Sequence, residues 1–144
     1  MTMTGEAARK LVGTWKLVSM QFEFSDTGER VDMFGRRPRG HLILTANGRM
    51  VAIITPDGRA RPKADANFRE LFQNLCSYSG AYRVEGDNFI TDVDAAWHPA
   101  WEGSAQKRSF KLDGDNLWIA TEHTDRPTYY PGRAGRGILT WVRE

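Results

Sequence analysis

The chain has 144 residues, a length typical of one domain that buries its own core. Hydrophobic residues make up 40% and charged residues 26% of it, which favours a folded globular domain over a disordered chain. The net charge of +2 is too small to indicate nucleic-acid binding, and no run of about eighteen apolar residues predicts a membrane span. Cys76 is the single cysteine and no secretory signal is visible, so we expect a cytoplasmic protein with neither a membrane nor a nucleic-acid partner.

Turn-forming residues interrupt the chain at short intervals, as in Asn47-Gly48, Asp87-Asn88 and Asp113-Gly114. Asn, Asp and Gly accept the positive φ that tight hairpins need. Between the turns lie alternating runs rich in Val, Ile, Thr, Phe and Trp, which predict strands at about 13–24, 30–35, 40–46, 49–55, 80–86, 88–97, 105–112, 116–123 and 136–143. Eight or more strands joined by hairpins tend to close into a barrel without exposed edges. We therefore predict an all-β, closed up-and-down antiparallel barrel that forms one domain over residues 1–144.

One segment has a helical pattern instead. Its apolar residues follow the spacing i, i+3, i+4, i+7, i+8 and are Phe68, Leu71, Phe72, Leu75 and Cys76. Asn67 and Glu70 resemble a capping box, and Gly80 is placed to end a helix. The pattern predicts a helix over 66–78, inserted between the fourth and fifth strands at one barrel mouth, with Cys76 as a core residue. A second, short helix is predicted over 6–12, before the first strand.

No motif for a metal or a cofactor is present in the sequence. His41, His98 and His123 are far apart, and none pairs with another His or with Cys at ligand spacing. The glycine-rich run 132–137 enters a strand and not a helix, which indicates a flexible loop and no phosphate-binding site. We therefore predict neither a metal site nor a cofactor.

The most informative polar residue is an arginine on an apolar strand face. In the predicted strand 105–112, Arg108 shares a face with Phe110, so an inward Phe110 brings Arg108 inward as well. An arginine inside a small barrel is costly unless it is paired. It therefore either meets a buried carboxylate, Asp92 or Asp94, or awaits an anionic or carbonyl group of a ligand.

An aromatic corner follows the predicted strand 88–97. One face of that strand carries Phe89, Thr91, Val93, Ala95 and Trp97. A bulge near Ala95-Ala96 would swap the two faces and carry His98 inward. Trp97 and Trp101 then either cap the core or wall an apolar ligand.

The predicted strand 116–123 ends with His123 on its apolar face, next to the loop 124–135. That loop carries Tyr129 and Tyr130 beside Pro127 and Pro131. It is either an irregular solvated loop or a lid with hydroxyl donors over a pocket.

Several segments, taken in order, resemble the bacterial and fungal lipocalin-like domain family, a branch of the calycin barrels. They are Gly13-Thr14-Trp15-Lys16-Leu17-Val18-Ser19, Asn47-Gly48-Arg49-Met50, Ser79-Gly80-Ala81-Tyr82-Arg83-Val84, Trp97-His98-Pro99, Gln106-Lys107-Arg108-Ser109-Phe110, Gly114-Asp115-Asn116-Leu117 and Leu139-Thr140-Trp141-Val142-Arg143. The resemblance implies a closed barrel with a central cavity. It also implies that Trp15 packs against Arg143 at the barrel floor, a structural role in which a cation lies over an indole face.

We expect the cavity to bind a small, largely apolar molecule with a polar or anionic end. Its predicted contacts are Tyr82, Trp97, Arg108, His123 and Tyr129, with Arg108 orienting the polar end. The alternative is a cofactor-independent isomerase or cyclase of a hydrophobic, polyketide-like metabolite. In that mechanism His98 or His123 is the general base and Arg108 stabilises an oxyanion. A third alternative is a structural module that forms a homodimer through an apolar outer patch.

Overall fold

Strands make up most of the protein in the computed structural model, which describes residues 5–130 and 132–144. Its helices are α1 (Glu6–Leu11) and α2 (Asp65–Gln73). The strands are β1 (Gly13–Phe24), β2 (Arg30–Asp32), β3 (Arg39–Leu44), β4 (Arg49–Thr55), β5 (Cys76–Glu85), β6 (Asn88–Ala96), β7 (Ala105–Asp113), β8 (Asn116–Thr121) and β9 (Gly135–Arg143).

The strands form a closed antiparallel barrel. From β3 to β9 each strand pairs with the next, and β1 joins the two ends by pairing with β3 on one side and β9 on the other. The short β2 pairs with the last residues of β1, beyond the point where β3 leaves it. The ring thus has eight strands with β2 as an addition, and the predicted closed up-and-down barrel is confirmed.

The two ends of the barrel differ. The hairpins β3–β4, β5–β6 and β7–β8 turn at one end, and α1 covers that end with Leu11 fully buried. Tight hairpins need only a few residues, so this closed end contains little irregular chain. The longer connections, including α2 and the segment between β8 and β9, gather at the opposite, open end. The open end is therefore where a ligand has access to the barrel interior.

The helix between the fourth and fifth strands is present, but it is shorter than predicted. It ends at Gln73, and Cys76 begins β5 by pairing with Ile54 of β4. The N-terminal bonds also differ from the predicted capping box, since Asn67 Oδ1 accepts the backbone N–H groups of Lys63 and Ala64. The continuation of the helix to residue 78 was wrong because pairing with β4 extends the chain from Cys76 onward.

Not all of the barrel's outer surface is polar. Ile43, Val51 and Ile53 point outward from β3 and β4 and are exposed. The homodimer stays a prediction. No helix among the described residues is long and apolar enough to span a bilayer.

Candidate functional site

A cavity of about 290 Å³ lies inside the barrel and opens toward the end that carries α2. Its walls are mainly apolar, because alternate residues of each strand point inward. Apolar residues in contact with it include Met20, Phe22, Leu42, Ile54, Ile119 and Leu139. Lys107, Glu122 and Arg126 lie at its edge. The cavity is therefore suited to a small molecule that is apolar over most of its surface.

Arg108 supplies a positive charge to this apolar wall. It lies on β7 opposite Phe89 of β6, and only 9% of the residue is exposed. Its Nη1 donates to the carbonyl oxygen of Lys107 and its Nη2 to Oε1 of Gln106, each at 3.1 Å. The guanidinium carbon is 6.0 Å from the ring centre of Trp101. The guanidinium also interacts with the Tyr78 hydroxyl, and its remaining N–H donors are available to another acceptor.

The two aspartates that could have paired with Arg108 lie on the outer wall. Asp92 binds Arg83 at 3.2 Å and Asp94 binds Arg49 at 2.7 Å, and their side chains are 64% and 53% exposed. Among residues 5–130 and 132–144, no carboxylate forms an ion pair with Arg108. The buried-carboxylate alternative is therefore wrong, and Arg108 is a buried cation held by neutral acceptors.

Neutral hydroxyl and thiol groups surround the guanidinium. Burial raises the pKa of the Cys76 thiol to about 11, and the Tyr129 hydroxyl and the charge of Arg108 oppose part of this rise. Burial also raises the pKa of Tyr78 and that of Tyr129, with Arg108 again acting in the opposite direction. All three groups keep their protons near neutral pH, so they do not neutralise the charge of Arg108.

The segment between β8 and β9 closes part of the open end. The Tyr129 hydroxyl donates to the carbonyl oxygen of Leu75 at 2.7 Å, and its ring packs edge-on against Phe34. The Tyr130 ring stacks on Phe22 with ring centres 4.8 Å apart. Pro131, which the sequence places in the same loop, lies outside the described residues. The two tyrosines thus attach this segment to the barrel rim, and Tyr129 is in the cavity lining.

Two of the expected ligand contacts lie outside the cavity lining. Tyr82 is buried near the closed end, where its hydroxyl donates to the carbonyl oxygen of Thr45 at 3.2 Å. Trp97 lies behind Tyr129, with the two rings parallel and their centres 6.3 Å apart, and its Nε1 donates to the Phe72 carbonyl oxygen. Trp97 therefore lies behind two lining residues, Tyr129 and Trp101, and Tyr82 belongs to the packing of the closed end.

The candidate catalytic histidines also lie outside the cavity lining. β6 has an extra residue at Asp94, because Ser79 pairs with Ala95 while Gly80 pairs with Val93. This bulge swaps the strand faces, but the strand ends at Ala96 and His98 packs against Phe72, with Nδ1 accepting the Ala100 N–H.

His123 follows the end of β8, is exposed, and bonds Ser25 Oγ through Nδ1 at 3.0 Å. Neither His98 nor His123 meets Arg108 in the cavity wall. The geometry that the isomerase alternative needed is therefore absent from the described residues.

Trp15 and Arg143 meet at the closed end, far from the cavity mouth. The Arg143 guanidinium carbon lies 4.2 Å from the ring centre of Trp15, and its Nη1 and Nη2 donate to the carbonyl oxygens of Val12 and Lys10 at 2.9 and 2.6 Å. Gly13 adopts a positive φ of 143°, and a Cβ there would lie 2.7 Å from Arg143 Nη1. The Gly-x-Trp sequence thus leaves room for the guanidinium that packs on the tryptophan.

Sequence reasoning missed Tyr78 and misplaced Cys76. Both belong to β5 and line the cavity, but the predicted strand began only at residue 80. The signal that could have found them is alternation, because Cys76, Tyr78 and Tyr82 are separated by even numbers of residues and so share one strand face. Gln106 lies two residues before Arg108 on β7, and its amide oxygen accepts a hydrogen bond from Arg108 Nη2.

A closed barrel with a covered floor, an open end and an internal cavity defines the class of lipocalin-like barrels. A family model described as a lipocalin-like domain matches residues 12–144, so the chain belongs to the lipocalin-like domain family. No curated protein matches the chain.

Two solved structures illustrate the similarity. A mutant of the fluorescent protein UnaG has 13% identity and a TM-score of 0.43, covering 94% of this chain and 97% of that one. Rv2717c from M. tuberculosis has 12% identity and a TM-score of 0.41, covering 96% of each chain.

Proposed function

We propose that the protein binds a small, largely apolar molecule with an anionic end, and that Arg108 binds that end inside the barrel. The observation that carries the proposal is the burial of this guanidinium in the cavity wall without a carboxylate partner among the described residues. A buried cation is costly unless an opposite charge compensates it. A ligand carboxylate, sulfonate or phenolate would provide that charge, and guanidinium geometry suits a two-oxygen acceptor.

The other cavity groups support the same ligand class. Burial raises the pKa of Tyr78, so near neutral pH its hydroxyl keeps the proton and would donate it to a ligand oxygen. The apolar side chains deeper in the barrel would cover the rest of the ligand. We do not propose the isomerase alternative, since neither His98 nor His123 lines the cavity.

A matched pair of probes tests the role of charge. Decanoate and decanol have the same carbon chain length, and only the first is anionic near neutral pH. Titration calorimetry should show binding of decanoate to the wild-type protein and a loss of at least about 30-fold in R108M, the range seen when one partner of a buried charge pair is removed. Decanol affinity should change by less than about three-fold.

The control is R83M, which removes an exposed arginine from the outer wall. It should leave decanoate binding unchanged. Equal affinity of the wild type and R108M for decanoate would refute the role of Arg108. If the wild type binds neither decanoate nor decanol, the proposal is refuted for ligands with a ten-carbon chain.

A further inference from the structure

One side of the open end carries an excess of positive charge. It consists of residues 33–39, from the end of β2 to the first residue of β3, and residues 56–73, from the end of β4 to the end of α2; we call it the basic mouth face. The two segments touch, because Asp57 N donates to the Phe34 carbonyl oxygen and Arg37 N to Asp57 Oδ2. The basic mouth face has seven basic residues and three acidic ones. The basic residues are Arg36, Arg37, Arg39, Arg59, Arg61, Lys63 and Arg69, and the acidic residues are Asp57, Asp65 and Glu70.

These cations are available to an external partner. All seven are exposed, and among the described residues none of them forms an ion pair. The basic mouth face has four more basic than acidic residues, although the whole chain has a net charge of only +2. The rest of the protein is therefore slightly acidic, and the positive charge is concentrated on this face.

Two exposed phenylalanines lie on α2, within the same stretch of chain. Phe68 and Phe72 are one helical turn apart on α2 and are 59% and 44% exposed. Both lie within α2, and no residue of that helix is buried. Exposed aromatic residues next to unpaired basic residues are typical of helices that lie in the interface of an anionic membrane.

We propose that the basic mouth face docks on an anionic lipid bilayer, with Phe68 and Phe72 inserted among the acyl chains and the cations at the headgroups. Anionic headgroups attract cations near the surface, and apolar side chains gain from burial below it. An acidic protein would satisfy the charges, but it would not by itself require two exposed phenylalanines. The cavity opens at this end, so docking would bring its mouth close to the lipid phase.

This proposal departs from the expectation that the protein has no membrane partner. That expectation rested on the absence of a membrane-spanning segment and on the small net charge, and neither reports how charge is distributed on the surface. The proposal is independent of the proposed ligand, and its test contains no cavity ligand. A failure of one therefore leaves the other intact.

Vesicle co-sedimentation tests the docking. Wild-type protein should sediment with vesicles of phosphatidylcholine and phosphatidylserine, and much less with phosphatidylcholine alone. R59Q/R61Q/K63Q should bind the anionic vesicles about 100-fold more weakly, at about five-fold for each cation near the surface. F68S/F72S, which keeps every charge, should lose on the order of ten-fold because less apolar area is buried.

The matched control is K10Q/K16Q/K111Q, which removes three exposed cations from the closed half of the barrel. It should bind the anionic vesicles as the wild type does, and circular dichroism should show that all variants are folded. Equal binding of the wild type and R59Q/R61Q/K63Q would overturn the proposal. So would an equal loss in the lysine control, or undiminished vesicle binding of F68S/F72S, because a purely ionic contact would equally fit an acidic protein.

Discussion

Arg143→Met is the substitution whose cost follows most directly from the geometry of the closed end. Methionine keeps much of the apolar stem but removes the guanidinium that lies 4.2 Å from the ring centre of Trp15. It also removes the hydrogen bonds to the carbonyl oxygens of Val12 and Lys10. These contacts join the last strand to the segment that leads into the first, so their loss acts on barrel closure.

The expected cost is about 3 kcal/mol. Each hydrogen bond from a charged donor contributes about 1.5 kcal/mol at the lower end of its usual range. The cation–π contact adds about 1 kcal/mol. The ion pair of Arg143 with Asp115, whose side chain is largely exposed, adds little. Water can form hydrogen bonds with the carbonyl groups that lose the guanidinium, which offsets part of the destabilisation. The net cost is therefore about 3 kcal/mol.

Urea unfolding followed by far-ultraviolet circular dichroism measures this effect. With a slope of about 2 kcal/mol per molar urea, the midpoint of R143M should fall by about 1.5 M. The control R83M removes an arginine that has two carboxylate partners but lies on the outer surface, and its midpoint should not move. A loss below about 1 kcal/mol in R143M, or an equal shift in R83M, would refute this account of the closed end.

Three further predictions concern single residues. Gly13→Ala should destabilise the protein by about 2 kcal/mol in the same urea assay, because φ is 143° and the added Cβ would lie 2.7 Å from Arg143 Nη1; an unchanged midpoint would contradict this. The Cys76 thiol has a pKa raised from 9.0 to about 11, so a disulfide reagent should label it slowly near neutral pH and rapidly in urea. Because the unfolded thiol ionises first, this group's contribution to stability should be lost as the pH rises from 9.0 toward about 11, and C76A should lack that component. Tyr129→Phe should cost about 1 kcal/mol through its lost hydrogen bond to a backbone carbonyl, whereas Tyr130→Phe, with no hydroxyl bond among the described residues, should be neutral.

The barrel could be predicted from the sequence because its signals are local. Asn47-Gly48 lies in the hairpin between β3 and β4, and the alternation of Arg108 with its neighbours correctly predicted an inward arginine. Turn chemistry and two-residue alternation depend on a few adjacent residues, so one sequence suffices to read them.

The site was harder to predict because it depends on where strands begin and end. Cys76 fitted a helical stripe as well as a strand, and only its pairing with Ile54, distant in sequence, decides between them. His123 was expected to point inward by extending the alternation of its strand, and His98 by a bulge near Ala95-Ala96. Those strands end at Ala96 and Thr121, and beyond them the side-chain alternation no longer holds. Local patterns thus predict faces within a strand but not the limits of that strand.

Arg108 and Arg143 should respond in opposite ways to loss of charge, and this contrast separates a structural role from a binding role. Arg143 has a ring face and two backbone carbonyls as its partners, so R143M destabilises the barrel. Arg108 is a buried cation with no carboxylate partner in the described part of the chain, and replacing it with an apolar side chain removes a desolvation cost. R108M should therefore keep the free energy of unfolding unchanged or raise it by up to about 1 kcal/mol, as measured by urea unfolding. The same variant should lose decanoate binding. A destabilisation above about 1 kcal/mol would show that the hydrogen bonds to Gln106 and Lys107 make Arg108 a structural residue. The function would then have to be sought in the other polar groups of the cavity.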